Sequence, residues 1–502
     1  MKNKKYIFNP YYGLRNDKKR ILLTNTPYFK IPLNLAEEDI TDFIHPIFAI
    51  IFSLFDGKTN FNDVILKISA ILDNSYDEVH NFITPFIDNK KRIGLEYDNN
   101  FFEFPQRILL ENIDNKYSVR NLDYKDYLIE GDYDFNTYRL YEGPSTINFL
   151  VNTICATDCT YCYVDRRIKD NCKIPINRLK EIIREAKDLK VVNFDIAGTE
   201  VFLYKYWDEL IEEMILNGFY PYLSTKLPIS ENKVKRLKQI GINDLQLSID
   251  SVDEKEVFLV NRMKTPNYIE KMFASLSFIE KHEINCAVNV VLTNENNSKK
   301  GILNLINKIS KFKNIERITF NPAERSPYWN SDDFDIRKNS IKELENIEEL
   351  LNNIKNNYDF DIVFASFSKK DDFFNEHEVL LKAHNERSLC SANKEQICIL
   401  NNGQVTICEE LYWNPRFIIG NILNQSIKEI WQSDKALKLE NLSRKDFSTS
   451  SKCKSCPSFN SCRLHTGVCW SNVASAYGEE NWDFPSPSCP YSPPLKYSMY
   501  HE

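Results

Sequence analysis

The chain has 502 residues, of which 42% are hydrophobic and 27% are charged, and its net charge is −7. A globular chain of this length predicts two to four domains. Basic and acidic side chains are balanced in residues 1–110, which excludes the basic surface that a nucleic-acid partner would need. Because no uninterrupted apolar run reaches the length of a membrane span and no apolar signal segment follows the first lysines, we expect a cytoplasmic protein with no membrane partner.

Residues 1–110 predict a small α+β module. Strand-like runs at 21–23 and 28–31 precede a helix with six apolar residues at helical spacing and a second helix that ends near Leu72. Ser75-Tyr-Asp-Glu78 predicts a capping box that opens a third helix, and residues 94–104 predict a closing hairpin. The apolar positions of the first helix are Phe43, Ile44, Ile47, Phe48, Ile51 and Phe52.

Residues 145–330 alternate between strand-like and helical runs, with residues 111–144 expected as a linker before them and 331–385 as a helical bridge after them. Six such repeats predict a parallel sheet with right-handed crossovers and with functional residues at the carboxyl ends of the strands. The predicted strands are 146–151, 191–197, 220–225, 244–249, 284–292 and 317–321, and the predicted helices are 175–188, 204–217, 232–239, 267–281 and 299–311.

Most of the 13 cysteines fall into two groups, one at 155–162 and one between 390 and 489. In a long chain without a signal segment, this grouping predicts metal binding rather than disulfides. The run Cys155-Ala-Thr-Asp-Cys159-Thr-Tyr-Cys162 offers three thiolates, which suit an iron–sulfur cluster with one iron left open. A zinc knot or a disulfide is the alternative, although structural zinc prefers four ligands. Cys172 and Cys286 lie outside both groups and are predicted to be free thiols.

This CxxxCxxC run, with Tyr161 before its last cysteine, resembles the signature of radical S-adenosylmethionine (SAM) enzymes. The resemblance implies an α/β fold with a partial (β/α)6 TIM-type barrel at 145–330. It also implies a [4Fe–4S] cluster on Cys155, Cys159 and Cys162, whose open iron is chelated by SAM. Reductive cleavage of SAM would then give methionine and a 5′-deoxyadenosyl radical that removes a hydrogen from the substrate.

The resemblance also implies positions for the SAM contacts. Gly198, Thr199 and Glu200 follow the second strand, where relatives carry a Gly-Gly-Glu-Pro-like turn that contacts the methionyl amine; the first Gly and the Pro are replaced here. A carboxylate at Glu200 could still bind an ammonium group. Ser224 and Thr225 follow the third strand, at the place of a ribose-contacting turn.

Further candidates lie at the ends of later strands. In relatives, a Ser and an Arg placed like Ser248 and Arg262 bind SAM hydroxyls or its carboxylate, which suits a guanidinium. Two carboxylates near strand ends, Asp250 and Glu324, are candidate catalytic residues that would take a proton, and a solvated carboxylate is the alternative for either. The remaining candidate cofactor contacts are Tyr161 and Asn289.

Residues 386–502 resemble a SPASM domain, with Gly403 five residues before Cys408 and a CxxC step at 453–456. Relatives hold two auxiliary [4Fe–4S] clusters there, so the resemblance implies three clusters in all. Six residues separate Cys462 from Cys469, where relatives usually have three. The alternative interpretation of this cysteine pattern is a pair of zinc ribbons. By the resemblance, a nearer set comprises Cys390, Cys398, Cys408 and Cys469, and a farther set comprises Cys453, Cys456, Cys462 and Cys489.

Cys398 bears on the mechanism. If it is a ligand, the nearer cluster is saturated and can only remove an electron from a substrate radical. If Cys398 is a buried strand thiol instead, an open iron could bind a peptide cysteine for thioether formation.

The order of the three regions resembles that of radical SAM/SPASM maturases of ribosomally synthesised peptides. Residues 1–110, as a winged-helix-like domain, would bind the leader of a precursor peptide through a strand edge. The resemblance implies an oxidoreductase and peptide cyclase that installs a carbon–carbon, ether or thioether cross-link, with a flavodoxin or ferredoxin as electron donor. The alternatives are a sulfatase-type maturase that makes formylglycine and an iron–sulfur redox regulator.

Overall fold

The computed structural model describes residues 3–26, 40–165, 169–198, 200–263, 265–328, 331–374, 376–412 and 414–502. The chain divides into two compact units, residues 1–145 and residues 146–502. The strand predicted at 28–31 lies outside the described residues. Among those that are described, no helix is long and apolar enough to cross a membrane.

The first unit contains two three-stranded antiparallel sheets, ordered β5-β1-β8 and β2-β3-β4, and the hairpin β6-β7. Its core is rich in phenylalanine, and Phe48 contacts the edges or faces of several other rings. Its elements are β1 (Lys5–Phe8), β2 (Tyr12–Asn16), β3 (Ile21–Asn25), β4 (Thr41–Ile44), α1 (Pro46–Ser53), β5 (Asp56–Asn60), α2 (Phe61–Leu72), α3 (Tyr76–Ile83), β6 (Ile93–Tyr97), β7 (Asn100–Phe104) and β8 (Leu109–Glu111).

The capping box at Ser75 and the hairpin at 94–104 are confirmed. The first predicted helix was placed too early, because Phe43 and Ile44 belong to β4. Helix α1 instead begins at Pro46, whose fixed φ suits the first helical position. Part of the expected linker packs into this unit, since Tyr127 is only 2% exposed and belongs to its core.

The second unit contains two five-stranded sheets, ordered β10-β9-β16-β17-β18 and β11-β12-β13-β14-β15. Its strands are β9 (Thr146–Leu150), β10 (Asn193–Ala197), β11 (Ser224–Thr225), β12 (Asp244–Ser248), β13 (Asn285–Leu292), β14 (Ile315–Pro322), β15 (Asp361–Phe364), β16 (Gln396–Ile399), β17 (Gln404–Thr406) and β18 (Ile418–Asn421). Its helices are α4 (Ile176–Asp188), α5 (Trp207–Leu216), α6 (Glu231–Ile240), α7 (Glu254–Asn261), α8 (Tyr268–Lys281), α9 (Lys299–Ile309), α10 (Ser331–Arg337), α11 (Ile341–Ile354), α12 (Asp371–Phe374), α13 (His377–Asn385), α14 (Ile427–Trp431), α15 (Asp434–Glu440) and α16 (Trp470–Tyr477).

The six predicted β/α repeats form a mixed α/β fold in which β9–β14 are the predicted strands. The third strand is shorter than predicted, at Ser224–Thr225, and the described strands form two sheets rather than a closed barrel. The segment predicted as a helical bridge also contains β15, which continues the second sheet in parallel. The partial barrel is therefore extended by one strand beyond the predicted repeats.

Strand β16 belongs to the cysteine-rich region, yet it pairs in parallel with β9. In this register Cys398 lies opposite Asn148, one strand away from the segment that leads into the Cys155 loop. Strands β17 and β18 then continue the sheet in antiparallel fashion. The cysteine-rich region and the barrel thus share one hydrogen-bonded sheet.

Candidate functional site

A cavity of about 920 Å³ lies at the carboxyl ends of the barrel strands. Strand β13 shows how the fold builds it: Cys286, Val288, Val290 and Leu292 alternate with less buried residues and face the helices, as the two-residue period of a strand requires. The intervening positions turn inward and give the cavity a polar lining. Inward residues from successive strands are Asn148, Asp195, Gln246, Ser248, Asn289 and Asn321.

The predicted cluster loop forms one edge of this cavity, because Cys155, Cys159 and Cys162 all line it. The Cys159 thiol is 5% exposed and accepts a hydrogen bond from Asn261 Nδ2 at 3.4 Å. Within the described ranges, no group of three Cys, His, Asp or Glu side chains is placed to hold a single metal ion. Three thiols beside a space of this size fit a cluster that is bound through several irons.

Gly198 explains part of the predicted SAM turn. Its φ is +93°, and a Cβ there would lie 2.0 Å from Leu150 Cδ1, so only glycine fits. It lines the cavity between β10 and the buried Glu200. Thr199, the other residue predicted for this turn, lies outside the described residues.

Glu200 is 2% exposed and lines the same cavity. Its carboxylate accepts hydrogen bonds from Thr225 Oγ1 at 2.7 Å and from the backbone N–H of Lys226 at 3.3 Å. Burial nevertheless raises the pKa of Glu200 to about 7. Its hydrogen-bond donors are neutral, and the charge of Lys233 only partly offsets the cost of burial, so the carboxyl is suited to receive the ammonium group of a ligand.

Asp250 is fully engaged by neighbouring donors. Its side chain is 0% exposed and accepts from Lys226 Nζ at 2.7 Å, from the backbone N–H of Val291 at 2.9 Å, and from the Tyr161 hydroxyl and Asn261 Nδ2. Burial, followed by the charge of Asp250, raises the pKa of Tyr161 well above its usual value. This geometry favours a role for Asp250 in orienting Tyr161 and Lys226 over the predicted proton transfer.

The other predicted SAM contacts differ in their placement. Ser224, Ser248 and Asn289 line the cavity. Arg262 is not among the described residues that line it: its backbone is left-handed, at φ +50°, and its guanidinium lies 3.6 Å from the Asp158 carboxylate. The structure therefore brings the three polar strand residues together at the cavity and places Arg262 beside Asp158 of the cluster loop.

Glu324 projects into the cavity, and burial together with the nearby Glu410 raises its pKa. Sequence reasoning missed three further carboxylates of the lining, which are Asp195 on β10 and the pair Glu409 and Glu410 that directly follows Cys408. Asn148 Nδ2 donates to Glu409 at 2.7 Å, and Ser471 donates to Glu410. Their position beside a predicted cluster ligand was the available signal.

The farther cysteine set lies around one small cavity of about 30 Å³, lined by Cys453, Cys456, Cys462 and Cys489. His384 Nε2 lies 3.4 Å from the Cys462 thiol, and burial followed by two nearby arginines lowers the pKa of His384 to about 4. The four thiols predicted to act together therefore meet around one space.

Thiols of the nearer set raise one another's pKa values. Burial, and then the charge of Cys390, raises the pKa of Cys469 to about 11, while burial, Glu409 and Cys408 raise the pKa of Cys398. The long spacer before Cys469 forms a π-helix, Asn460–Thr466, followed by Gly467 at φ +77°. A Cβ on Gly467 would lie 3.4 Å from the Cys390 Cβ, so the extra residues fold back over this set.

Comparisons with known proteins match two parts of the chain. Residues 149–306 match the model of the radical SAM superfamily, and residues 390–457 match that of the SPASM iron–sulfur cluster-binding domain. The chain contains a radical SAM domain and a SPASM domain. These domains imply that the protein uses SAM and iron–sulfur clusters, and the thiols and the cavity described above fit those groups.

Solved structures with a fold similar to that of this chain include SuiB of Streptococcus suis. The structure titled as SuiB has a TM-score of 0.60 at 15% identity and aligns with 96% of this chain and 99% of its own. The structure of SuiB bound to precursor peptide SuiA has a TM-score of 0.58 at 15% identity, and the alignment covers 96% of this chain and 98% of that one. The structure of SuiB bound to S-adenosylmethionine has a TM-score of 0.58 at 14% identity, and the alignment covers 96% of this chain and 99% of that one. No curated protein matches the chain in sequence.

Proposed function

We propose that this protein is a radical SAM peptide maturase that installs an oxidative cross-link in a ribosomally synthesised precursor peptide. The observation that carries the proposal is the juxtaposition of three cluster-loop thiols and a cavity of about 920 Å³, which has room for a ligand and a peptide side chain. The fold is similar along nearly the whole chain to SuiB, which has been solved with its precursor peptide. A sulfatase-type maturase would not need the additional unit at residues 1–145.

In this proposal, Cys155, Cys159 and Cys162 hold the SAM-binding cluster, and the nearer and farther sets hold two auxiliary clusters. When bound, the cluster and SAM supply the 5′-deoxyadenosyl radical. Glu200 holds the methionyl ammonium, while Ser224, Thr225, Ser248 and Asn289 provide hydrogen bonds for the rest of the ligand. Tyr161, held by Asp250 and Lys226, fixes the position of the loop between Cys159 and Cys162.

Glu324 is the proposed proton acceptor of the substrate step. Its carboxyl lies in the cavity, and its raised pKa makes it a stronger proton acceptor than an ordinary carboxylate. Asp250 is the less suited of the two predicted carboxylates, because Lys226 and several other donors occupy it. We propose that a strand edge of the first unit binds the leader and that a flavodoxin or ferredoxin donates the electrons.

The test is anaerobic co-expression with the short peptide encoded beside the gene, followed by mass spectrometry. Cross-linking predicts loss of two hydrogens per link, a gap in the fragment ions between the joined residues, and no reaction with a hydrazide. A hydrazide-reactive aldehyde would instead identify formylglycine formation. Absence of 5′-deoxyadenosine after addition of SAM and dithionite to reconstituted protein would contradict the enzymatic proposal and favour a regulator.

The affinity for SAM is expected to depend on pH through Glu200. Because the pKa of its ligand-free carboxyl is about 7, a proton must leave before the ammonium can bind, so affinity should fall about tenfold for each pH unit below 7 and level off above it. Equilibrium binding of SAM to reconstituted protein between pH 5.5 and 8.5, values chosen to lie about one unit or more on either side of that pKa, measures this. Glu200→Gln should bind weakly and lose the dependence.

Glu395→Gln is the matched control for that experiment. Burial also raises the pKa of Glu395, but this residue does not belong to the described lining of the cavity. Its replacement should leave both the affinity and the pH profile unchanged. A Glu200→Gln protein that retains the parent's pH profile would show that another group binds the ammonium.

A further inference from the structure

Two guanidinium groups donate directly to sulfurs of the farther cysteine set. Arg463 Nη2 lies 3.2 Å from Cys453 Sγ, and Arg387 Nη2 lies 3.2 Å from Cys462 Sγ. The same Arg387 nitrogen donates to the Gly467 carbonyl at 2.6 Å, which fixes its direction. Both cations therefore contact the thiols that are proposed to hold the farther auxiliary cluster.

Arg463 is the more constrained of the two. It is only 8% exposed, and its Nε and Nη1 atoms are buried without a hydrogen-bond partner among the described residues. Its remaining Nη2 partners are the carbonyls of Asp483 and Phe484, which carry no net charge. Because burying a cation without a counter-charge is unfavourable, this arrangement suits an anionic group in the adjacent cavity.

Two thiols of the nearer set, Cys398 and Cys408, have the opposite electrostatic surroundings. Glu409 and Glu410 directly follow Cys408, and both carboxylates line the large cavity on that side. The charge of Glu409 acts on Cys398, and that of Glu410 acts on Cys408. Lys394 and Arg387 act on Cys390, but the direct guanidinium–sulfur contacts described above belong to the farther set.

We propose that Arg387 and Arg463 raise the reduction potential of the farther auxiliary cluster above that of the nearer one. A cluster held by four thiolates becomes more negative when it gains an electron. Positive charge and N–H···S hydrogen bonds stabilise that reduced form, whereas adjacent carboxylates destabilise it. Both arginines are positioning residues, since they act through the sulfurs and contact no substrate. This inference rests on the proposed function only in assigning a cluster to each set.

Potentiometric electron paramagnetic resonance of the reconstituted full chain tests the proposal. In a background of Cys155→Ala, Cys159→Ala and Cys162→Ala, the signals come from the auxiliary clusters alone. We expect two components, and Arg463→Met or Arg387→Met should shift the higher-potential one to a more negative value. The expected size is at least a tenfold change in the one-electron equilibrium, which corresponds to about 59 mV. The lower-potential component should stay in place in Arg463→Met, whereas Arg387→Met, which also removes a charge that acts on Cys390, should shift it by less than the higher-potential one.

Arg463→Lys and Arg416→Met provide the controls. The lysine keeps the positive charge but not the planar guanidinium, so Arg463→Lys should shift the potential by less than Arg463→Met does. Arg416 is an exposed guanidinium that stacks on Trp482, and its replacement should change neither component. Unchanged potentials in Arg387→Met and Arg463→Met proteins of parental iron content would overturn the proposal, as would zinc in place of the second component.

If the Arg463→Met protein loses iron, the Arg387→Met protein provides the test. The guanidinium of Arg387 is half-buried, so its removal disturbs the fold less. A protein that lacks peptide-modifying activity but shows these shifts would contradict the proposed function and leave this inference standing.

Discussion

Replacing Cys155, Cys159 and Cys162 together with alanine is expected to abolish formation of 5′-deoxyadenosine. These three thiols edge the cavity, and the proposed mechanism depends on the cluster that they hold. The measurement is chromatography of the nucleoside products after anaerobic incubation with SAM and dithionite. Iron content should fall but not to zero, because the nearer and farther sets remain intact.

Cys172→Ala is the matched control, since Cys172 is a half-buried thiol outside all three sets that hydrogen-bonds to the Ile174 carbonyl. It should retain parental iron content and parental 5′-deoxyadenosine. Substantial nucleoside formation by the triple variant would refute the assignment of the loop. Loss of nucleoside formation in Cys172→Ala as well would mean that the assay reports general damage to the fold.

Gly198→Ala is expected to have the second largest effect, a loss of SAM binding and of stability that has a steric cause. A left-handed backbone costs a residue with a Cβ about 1–2 kcal/mol, and the clash with Leu150 Cδ1 at 2.0 Å adds an overpacking cost of about 1–3 kcal/mol. Relief of the clash must move the buried Leu150 side chain or the turn that carries Glu200. We therefore expect weaker SAM binding and a lower free energy of unfolding, measured by calorimetric titration and by denaturant unfolding.

Gly131→Ala isolates the backbone contribution. Gly131 also has a positive φ, of +109°, but nothing lies within 4 Å of the position its Cβ would take. Its replacement should lower stability slightly and leave SAM binding unchanged. Equal losses of SAM affinity in the two variants would contradict the steric explanation at Gly198.

The cysteine sites could be predicted from the sequence because thiolate spacing is itself the chemical signal. The farther set, which the SPASM resemblance implied, agrees with this, since its four cysteines line one cavity. Glycine at 198 was predicted as a turn residue, and its positive φ gives the reason. These positions are determined locally, by residue type and by a few neighbours along the chain.

Features that depend on distant contacts could not be predicted in the same way. Asp250 was predicted as a base because it ends a strand, but its engagement depends on Lys226 and Asn261, which come from other segments. Arg262 was chosen by sequence order, whereas its contact with Asp158 of the cluster loop depends on how two distant segments meet. The first helix was placed too early because Phe43 continues an apolar spacing that Pro46 interrupts.

The pairing of β16 with β9 has a consequence for how the chain folds. The first strand of the barrel obtains its second neighbour only from residues 396–399, after the whole barrel has been synthesised. Such a contact has very high sequence separation, and closing so long a loop slows the final ordering of the sheet. During translation, β9 therefore keeps an open edge until residues 396–399 have left the ribosome, so completion of this sheet is a late event in the folding of the chain.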